Sequence, residues 1–141
     1  MTLRLDRFDT MPLVGAVMTP FPHFVRPEDS IETVESRMRK FDIHHVPVQS
    51  GVEVIGVISD RDLDNQEGAE RVADIELDEP YIVGIATPLA EVAREMCEQR
   101  HGSAVVVRKG KLAGILSVTD ACRLLAEVLE ESFPKNSGDA A

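Results

Sequence analysis

Shifted by 58 residues, this chain lies on itself without a gap: Gly56, Ser59 and Asp62 fall on Gly114, Ser117 and Asp120. The same shift sets Val14 on Val72, Val25 on Val83, Val34 on Val92, Met38 on Met96 and Val48 on Val106. Val17 with Ile75, Ile31 with Leu89, Val57 with Ile115 and Ile58 with Leu116 are conservative partners. One such match carries little, but an ungapped register over the whole unit marks a duplication, which restricts the fold to two like halves. A unit of roughly 60 residues is marginal alone. Its sheet can bury one face against its own helices, and the second copy must cover the other.

Each unit reads as β-α-β-β-α. Pro20 to Pro27 is a turn-rich lead into a short strand at Phe24 and Val25. Asp29 or Ser30 caps the next helix, Asp29 and Glu32 having the capping-box spacing. The run IETVESRMRKF then puts Ile31, Val34, Met38 and Phe41 on one face. VPVQ and VEVIGVIS, joined at Ser50–Gly51, predict a hairpin, and another helix starts near Ser59. In the second unit Thr87 is the expected cap, with Pro88 in the first helical position. Leu89, Val92, Ala93 and Met96 form the expected buried face. SAVVV and KLAGILS make the hairpin, turning at Lys109–Gly110. A longer helix follows, with Ala121, Leu124, Leu125, Val128 and Leu129 pointing inward. The expected organisation is an N-terminal extension over 1–12, repeats over 13–65 and 72–131, and a frayed tail over 132–141. The fold class is α/β in the broad sense (α+β), with the two sheets packed across a pseudo-twofold axis.

The repeated Ser-x-x-Asp comes where a strand ends and a helix begins. At that spacing the side chains are neighbours, beside the unpaired N–H groups of the first turn. Two readings stand. Ser59 and Ser117 are N-caps and Asp62 and Asp120 first-turn acids; or the corner binds a ligand, the carboxylate accepting from a pair of sugar hydroxyls and the hydroxyl and N–H groups taking an anionic oxygen. Near each corner lies a polar helix-to-strand junction, DIHHVP or RHGSAV. There Gly102 and Ser103 leave room for a flat ring, and His44, His45 and His101 can stack on a base or face a phosphate. Neighbouring His44 and His45 would point to opposite faces of a strand, so a metal site is not expected. No histidine stands at a spacing that orients the Ser–Asp pairs as a nucleophile, and no P-loop or GxGxxG is present. No catalytic residue is assigned.

Charge narrows the partners. The chain carries 15 Lys and Arg against 25 Asp and Glu, a formal net charge of -10, the wrong sign for nucleic acid or an anionic membrane surface. Arg100, Arg108, Lys109 and Lys111 are the local exception, either a phosphate patch or a solvated loop. Two cysteines, Cys97 and Cys122, sit on helical apolar stripes and read as small core thiols; they make neither a disulfide framework nor a zinc set. With no signal-peptide pattern and no long apolar run, a cytoplasmic location is expected.

These motifs resemble a tandem pair of cystathionine-β-synthase-type (CBS) domains, a Bateman module, from about Leu13 to about Leu129. VMTPFPHFVRPEDSIETVESRM is similar to the family's opening, and HHVPV followed by VIGVISDRDL to its hairpin and signature. ADIELDEPYIVGIATPLAEVAREM, GSAVVV and LAGILSVTDA play those parts in the second unit. The resemblance implies a regulatory module that is not an enzyme. Its expected ligands are AMP, ADP or ATP (with magnesium where three phosphates are present), an NAD-like molecule or S-adenosylmethionine, bound in clefts between the repeats. It implies that Asp62 and Asp120 hold ribose hydroxyls and that Ser59 and Ser117 assist at ribose or phosphate. Ile43, His44, His101, Gly102 and Ser103 would line the base or phosphate region. Tyr81 and the Thr19–His23 loop would close over the base, and Arg61 would offset phosphate charge. Where the first unit has Met18–Thr19 and His45–Val46–Pro47, the second has Glu76–Leu77 and Ser103–Ala104–Val105, so the clefts are unequal. A disc-like homodimer joined through amphipathic helices is implied, as is an unknown protein target met by contact; a ligand-free interaction module is the alternative.

Overall fold

The computed structural model describes residues 10–20 and 22–135. Most of the expected N-terminal extension and tail, and Phe21 of the Thr19–His23 loop, lie outside them. The chain runs α1 (Val14–Val17), β1 (Thr19–Pro20), α2 (Ile31–Phe41), β2 (His45–Ser50), β3 (Glu53–Ser59) and α3 (Asp60–Asp64). A 3-10 turn follows at Val72–Asp74, then β4 (Ile82–Gly84), α4 (Leu89–Glu98), β5 (Ser103–Arg108), β6 (Lys111–Ser117) and α5 (Val118–Ser132).

The units of the sequence are not the units of the core. Val14 packs with Val83, Val92, Val106 and Leu116 of the second repeat, while Val72 and Ile75 pack with Val34, Val46, Val48 and Ile58 of the first. Each leading segment has crossed into the other half. The backbone bonds of the two crossings correspond one for one. Val14 N–H donates to the Thr87 carbonyl (2.8 Å), Gly15 N–H to Ile85 (3.0 Å), and Leu89 N–H to Pro12 (2.8 Å). Fifty-eight residues on, Val72 donates to Asp29 (2.9 Å) and Ala73 to Pro27 (2.9 Å), and in return Ile31 donates to Glu70 (3.0 Å).

The crossing also explains the start of α4. Thr87 makes no side-chain cap, and Pro88 is itself the cap residue. Pro88 has no side-chain acceptor to offer at that position, and the orphan N–H of Leu89 is satisfied by Pro12 of the incoming segment. At α2 the cap is Ser30, whose Oγ accepts from Thr33 N–H (3.1 Å); Asp29 instead accepts from Arg26 N–H (2.8 Å).

Both halves carry an antiparallel hairpin with a matching irregularity, at Val48/Gln49 and Val106/Val107. The second hairpin extends into a four-stranded sheet ordered β1-β6-β5-β4, while the first stays two-stranded. Proline removes the counterpart of β4. In the second half Val105 N–H donates to Tyr81 (2.8 Å) and Ile85 N–H to Val107 (3.1 Å), tying β4 to β5. The corresponding donors in the first half would be Pro47 and Pro27, which have no N–H. Only the bonds that frame Val25 survive, and the strand shrinks to one parallel bridge with Val48.

Several expected buried positions face solvent. Cys97 and Cys122 are exposed free thiols, because Met96 and Leu124 hold the inner stripes of their helices and the cysteines fall beside them. Ala93 is exposed for the same reason. Phe41 is exposed and stacks on His23 at 3.7 Å between ring centroids. Leu125 and Leu129 of α5 point outward at 59% and 48% exposure, with only Leu124 of that helix buried. α5 projects beyond the core, since its counterpart α3 ends after five residues.

Candidate functional site

Ser59 and Ser117 cap α3 and α5, and the capping reading is realised at both. Ser59 Oγ accepts from Asp62 N–H (3.2 Å) and Asp62 Oδ2 accepts from Ser59 N–H (2.8 Å). The second pair repeats this at 3.1 and 3.0 Å. Such reciprocal caps each contribute about 1 kcal/mol. They do not consume the carboxylates equally. At Asp62 the box uses Oδ2 alone, whereas Asp120 Oδ1 also accepts from Arg123 Nη1 at 3.2 Å.

Space differs as well. Asp62 borders a cleft of about 430 Å³, within the ordinary range of roughly 300–1,000 Å³ for small-molecule sites. Ser59, Arg61 and Asp62 line it from the first repeat, and Tyr81, His101, Gly102 and Ser103 from the second. The Tyr81 and His101 rings are stacked at 4.8 Å and 12°, an aromatic slab at one side. Burial pushes the Tyr81 phenol pKa up, with Glu95 and Glu91 adding to the effect. The expected residues Thr19, His23, Ile43, His44, Ser117 and Asp120 lie outside this cleft. Thr19 pairs with Ile115 in the sheet, and His23 lies on Phe41. Ile43 and His44 line a separate depression on the α2 side together with Asp60.

His44 is tied down there. Its Nδ1 lies 2.8 Å from Asp60 Oδ2, and that hydrogen bond, helped by Arg61 N–H on the other oxygen, holds the Asp60 carboxyl below its usual range. The clearance expected at Gly102 is taken up by His45, whose Nε2 lies 2.8 Å from where a Cβ would stand. His45 faces the cleft, paired across the hairpin with Ser59.

Burial lowers the His45 pKa below its ordinary 6.5; Asp60, Asp62 and Asp120 act in the opposite sense without overcoming it. The folded protein therefore resists protonation that the unfolded chain accepts. His45 contributes stability fully above about pH 6.5, and that contribution is lost as pH falls toward the lowered folded value. A denaturation midpoint followed from about pH 7 down to pH 5 is expected to fall, and to fall less in His45→Gln.

The cleft holds residues that the Ser-x-x-Asp motif did not select: His45, Asp78, Glu79, Pro80, Arg100 and Val118. Asp78 to Pro80 arrive by the crossing of the second leading segment, and no local pattern announces them. Arg100 stands next to His101 with φ 57, a left-handed conformation that its counterpart Asp42 shares at φ 50. Both follow the last turn of a helix, where glycine is the usual choice. Two arginines and two histidines thus share the cleft with four carboxylates, Asp60, Asp62, Asp78 and Glu79; the acids outnumber the arginines, so only a small anionic group set against Arg61 and Arg100 is accommodated.

Among the described residues no helix is long and apolar enough to cross a membrane, and no cluster of His, Cys, Asp and Glu has the makings of a metal site.

Comparison with known proteins agrees with this architecture. The CBS domain model matches twice, over residues 14–66 and 72–127. A zinc metalloprotease from Methanocaldococcus jannaschii is 32% identical over 117 residues, which is 82% of this chain and 33% of that protein, so the chain spans about a third of that relative. A candidate acetoin utilization protein, AcuB, from Vibrio cholerae superposes with a TM-score of 0.75 at 26% identity, covering 90% of this chain and 99% of that one. CBSX2, solved in complex with AMP, superposes at 0.71 with 28% identity, covering 83% and 98%. Modules of this kind are regulatory and non-catalytic, and by its duplicated register, crossed leading segments and two matched domains this chain belongs to the CBS-domain proteins.

Proposed function

We propose that the chain is a sensor of an adenosine mononucleotide, AMP in the first instance, held in the cleft beside Asp62 and read out by a separate protein. One observation carries this reading: a single cavity brings Ser59, Arg61 and Asp62 of one repeat against the Tyr81–His101 slab of the other. The slab offers a face for the base. Asp62 offers an acceptor for the ribose hydroxyls, and Arg61 and Arg100 offer charge for one phosphate. Three phosphates would meet the cleft's four carboxylates and require a magnesium ion to screen them. The likeness to CBSX2, whose structure contains AMP, points to the same class. A ligand bridging both halves shifts their equilibrium only as far as it prefers one arrangement.

The test is titration calorimetry with AMP, ATP, NAD, S-adenosylmethionine and 2′,3′-dideoxy-AMP. AMP is expected to bind and its dideoxy analogue to lose at least about tenfold, the size of one lost charge-assisted hydrogen bond. At a hundredfold excess over Kd, AMP is expected to stabilise the fold by about 2.7 kcal/mol. Equal binding of the dideoxy compound removes the ribose assignment. A ligand-free interaction module is the second reading. The closed geometry at Asp120, with both carboxylate oxygens engaged, favours it for that half of the molecule.

A homodimer belongs to the same proposal. Leu125, Leu129 and Phe133 present an apolar strip along the outer side of α5 and just past its end, the last at 75% exposure, and a twofold pairing of α5 would cover it. Leu125→Glu with Leu129→Glu is expected to give a monomer in sedimentation with an unchanged far-ultraviolet spectrum. A dimer that survives both changes places its interface elsewhere.

A further inference from the structure

At the far end of the second repeat, away from the cleft, α1, β1 and the β5–β6 turn enclose a groove of about 900 Å³. Its floor is apolar: Met11, Leu13, Met18, Ile85 and Leu112. Met11 and Leu13 are 53% and 44% exposed. Arg108, Lys109 and Lys111 stand on its rim, and among the described residues that line it none is acidic, although the chain has 25 acids to 15 bases.

The duplication supplies an internal comparison. The positions 58 residues away occupy the corresponding end of the first repeat. There Arg108, Lys109 and Lys111 are replaced by Ser50, Gly51 and Glu53. Leu13, Ala16, Met18 and Pro20 are replaced by Arg71, Asp74, Glu76 and Asp78. One fold therefore carries an acidic, polar surface at one end and an apolar, cationic groove at the other, so the groove is not a by-product of the architecture. Among the described residues β1 pairs with β6 at Ile115 and Gly114, and β6 continues through Lys111, Leu112 and Ala113 along the groove.

We propose that this groove is the docking site for an extended segment of a partner protein in which apolar residues alternate with Asp or Glu. Its apolar side chains would fill the floor and its carboxylates would meet Arg108, Lys109 and Lys111. The chain's formal net charge of -10 opposes approach to an anionic membrane surface, which favours a polypeptide whose few carboxylates meet the three cations of the rim. β6 runs from this groove to Ser117 at the start of α5, a rigid element between the surface and the second capping corner. Docking stands independently of the nucleotide reading.

The test selects a displayed random peptide library on the full chain, with counter-selection on Arg108→Glu/Lys111→Glu. The strongest peptide is then measured by fluorescence anisotropy and mapped by amide chemical shifts. Enriched peptides are expected to alternate apolar and acidic residues. Affinity should fall by about tenfold or more in the charge-reversed variant and also in Met11→Asp, with shifts confined to residues 11–18 and 108–113. Both variants change exposed side chains, and unchanged melting and AMP titration confirm that fold and cleft are intact. The proposal is overturned by no enrichment over the charge-reversed variant, by enriched peptides without carboxylates, or by shifts elsewhere. Groove-confined binding of dodecanoate or of phosphatidylglycerol vesicles without any peptide overturns it in favour of a lipid. Self-association that disappears on charge reversal overturns it in favour of a second copy.

Discussion

Gly114→Val is expected to destabilise the fold severely. A Cβ at Gly114 would collide with the Met18 side chain and stand 2.8 Å from the Thr19 carbonyl oxygen. Thr19 and Pro20 are the whole of β1, paired to Ile115 and Gly114 themselves, so the strand has no free direction in which to yield. Moving it draws out Val14, fully buried in the second core. Overpacking alone costs about 1–3 kcal/mol, and withdrawing a buried valine adds roughly 1.5–3. Together these are roughly 2.5–6 kcal/mol, a large share of the ~5–15 kcal/mol that holds a small domain folded. Gly56→Val is expected to cost less, because the atoms nearest its Cβ belong to the Leu77 side chain, Cδ1 at 2.7 Å and Cβ at 3.0 Å, and none is backbone. Gly84→Ala, with nothing within 4 Å, is the neutral control. Urea unfolding followed by circular dichroism separates the three, and a Gly114→Val protein with the wild-type midpoint refutes the crossing as a requirement.

The second large effect is on ligand. Asp62→Ala and Asp120→Ala each break one reciprocal cap and each are expected to lose about 1 kcal/mol of stability; the exposed Arg123 pair adds little at Asp120. Their affinities for AMP are expected to part. Asp62→Ala removes a charged acceptor from the cleft, worth about 1.5–3 kcal/mol, or roughly 10- to 100-fold, while Asp120→Ala leaves binding unchanged. The duplication makes each variant the control for the other. Calorimetry at matched temperature measures both, and equal affinities dismiss Asp62 as a ligand group.

Register, caps and strands were legible because each rests on local chemistry: Ser59 and Asp62 announce a helix start, Ser50–Gly51 a turn, Val34 and Met38 an inner face. The crossing was not legible, since nothing near Val14 says that its neighbours are Val92 and Leu116. Other errors had local causes. Thr87 looked like a cap, but the helix starts one residue later and Pro88 takes the cap position. Leu125 and Leu129 looked buried because apolar periodicity does not say how far a core extends. The cleft was half visible, its first-repeat side marked by the Ser-x-x-Asp motif and its other side brought by Asp78 to Tyr81 from across the molecule. His45 was noticed as a polar residue, but the pressure of its ring against Gly102 is a tertiary fact.

The bond between Pro20 and Gly114 has a price in time. As the chain leaves the ribosome, Pro20 of the first leading segment emerges long before its strand partner Gly114. At about 5–20 residues per second that segment waits several seconds with its valines uncovered, while the second leading segment finds its place as soon as it appears. Synthesis thus completes the first half before the second, and the first leading segment is seated later than the segment that follows it 58 residues on.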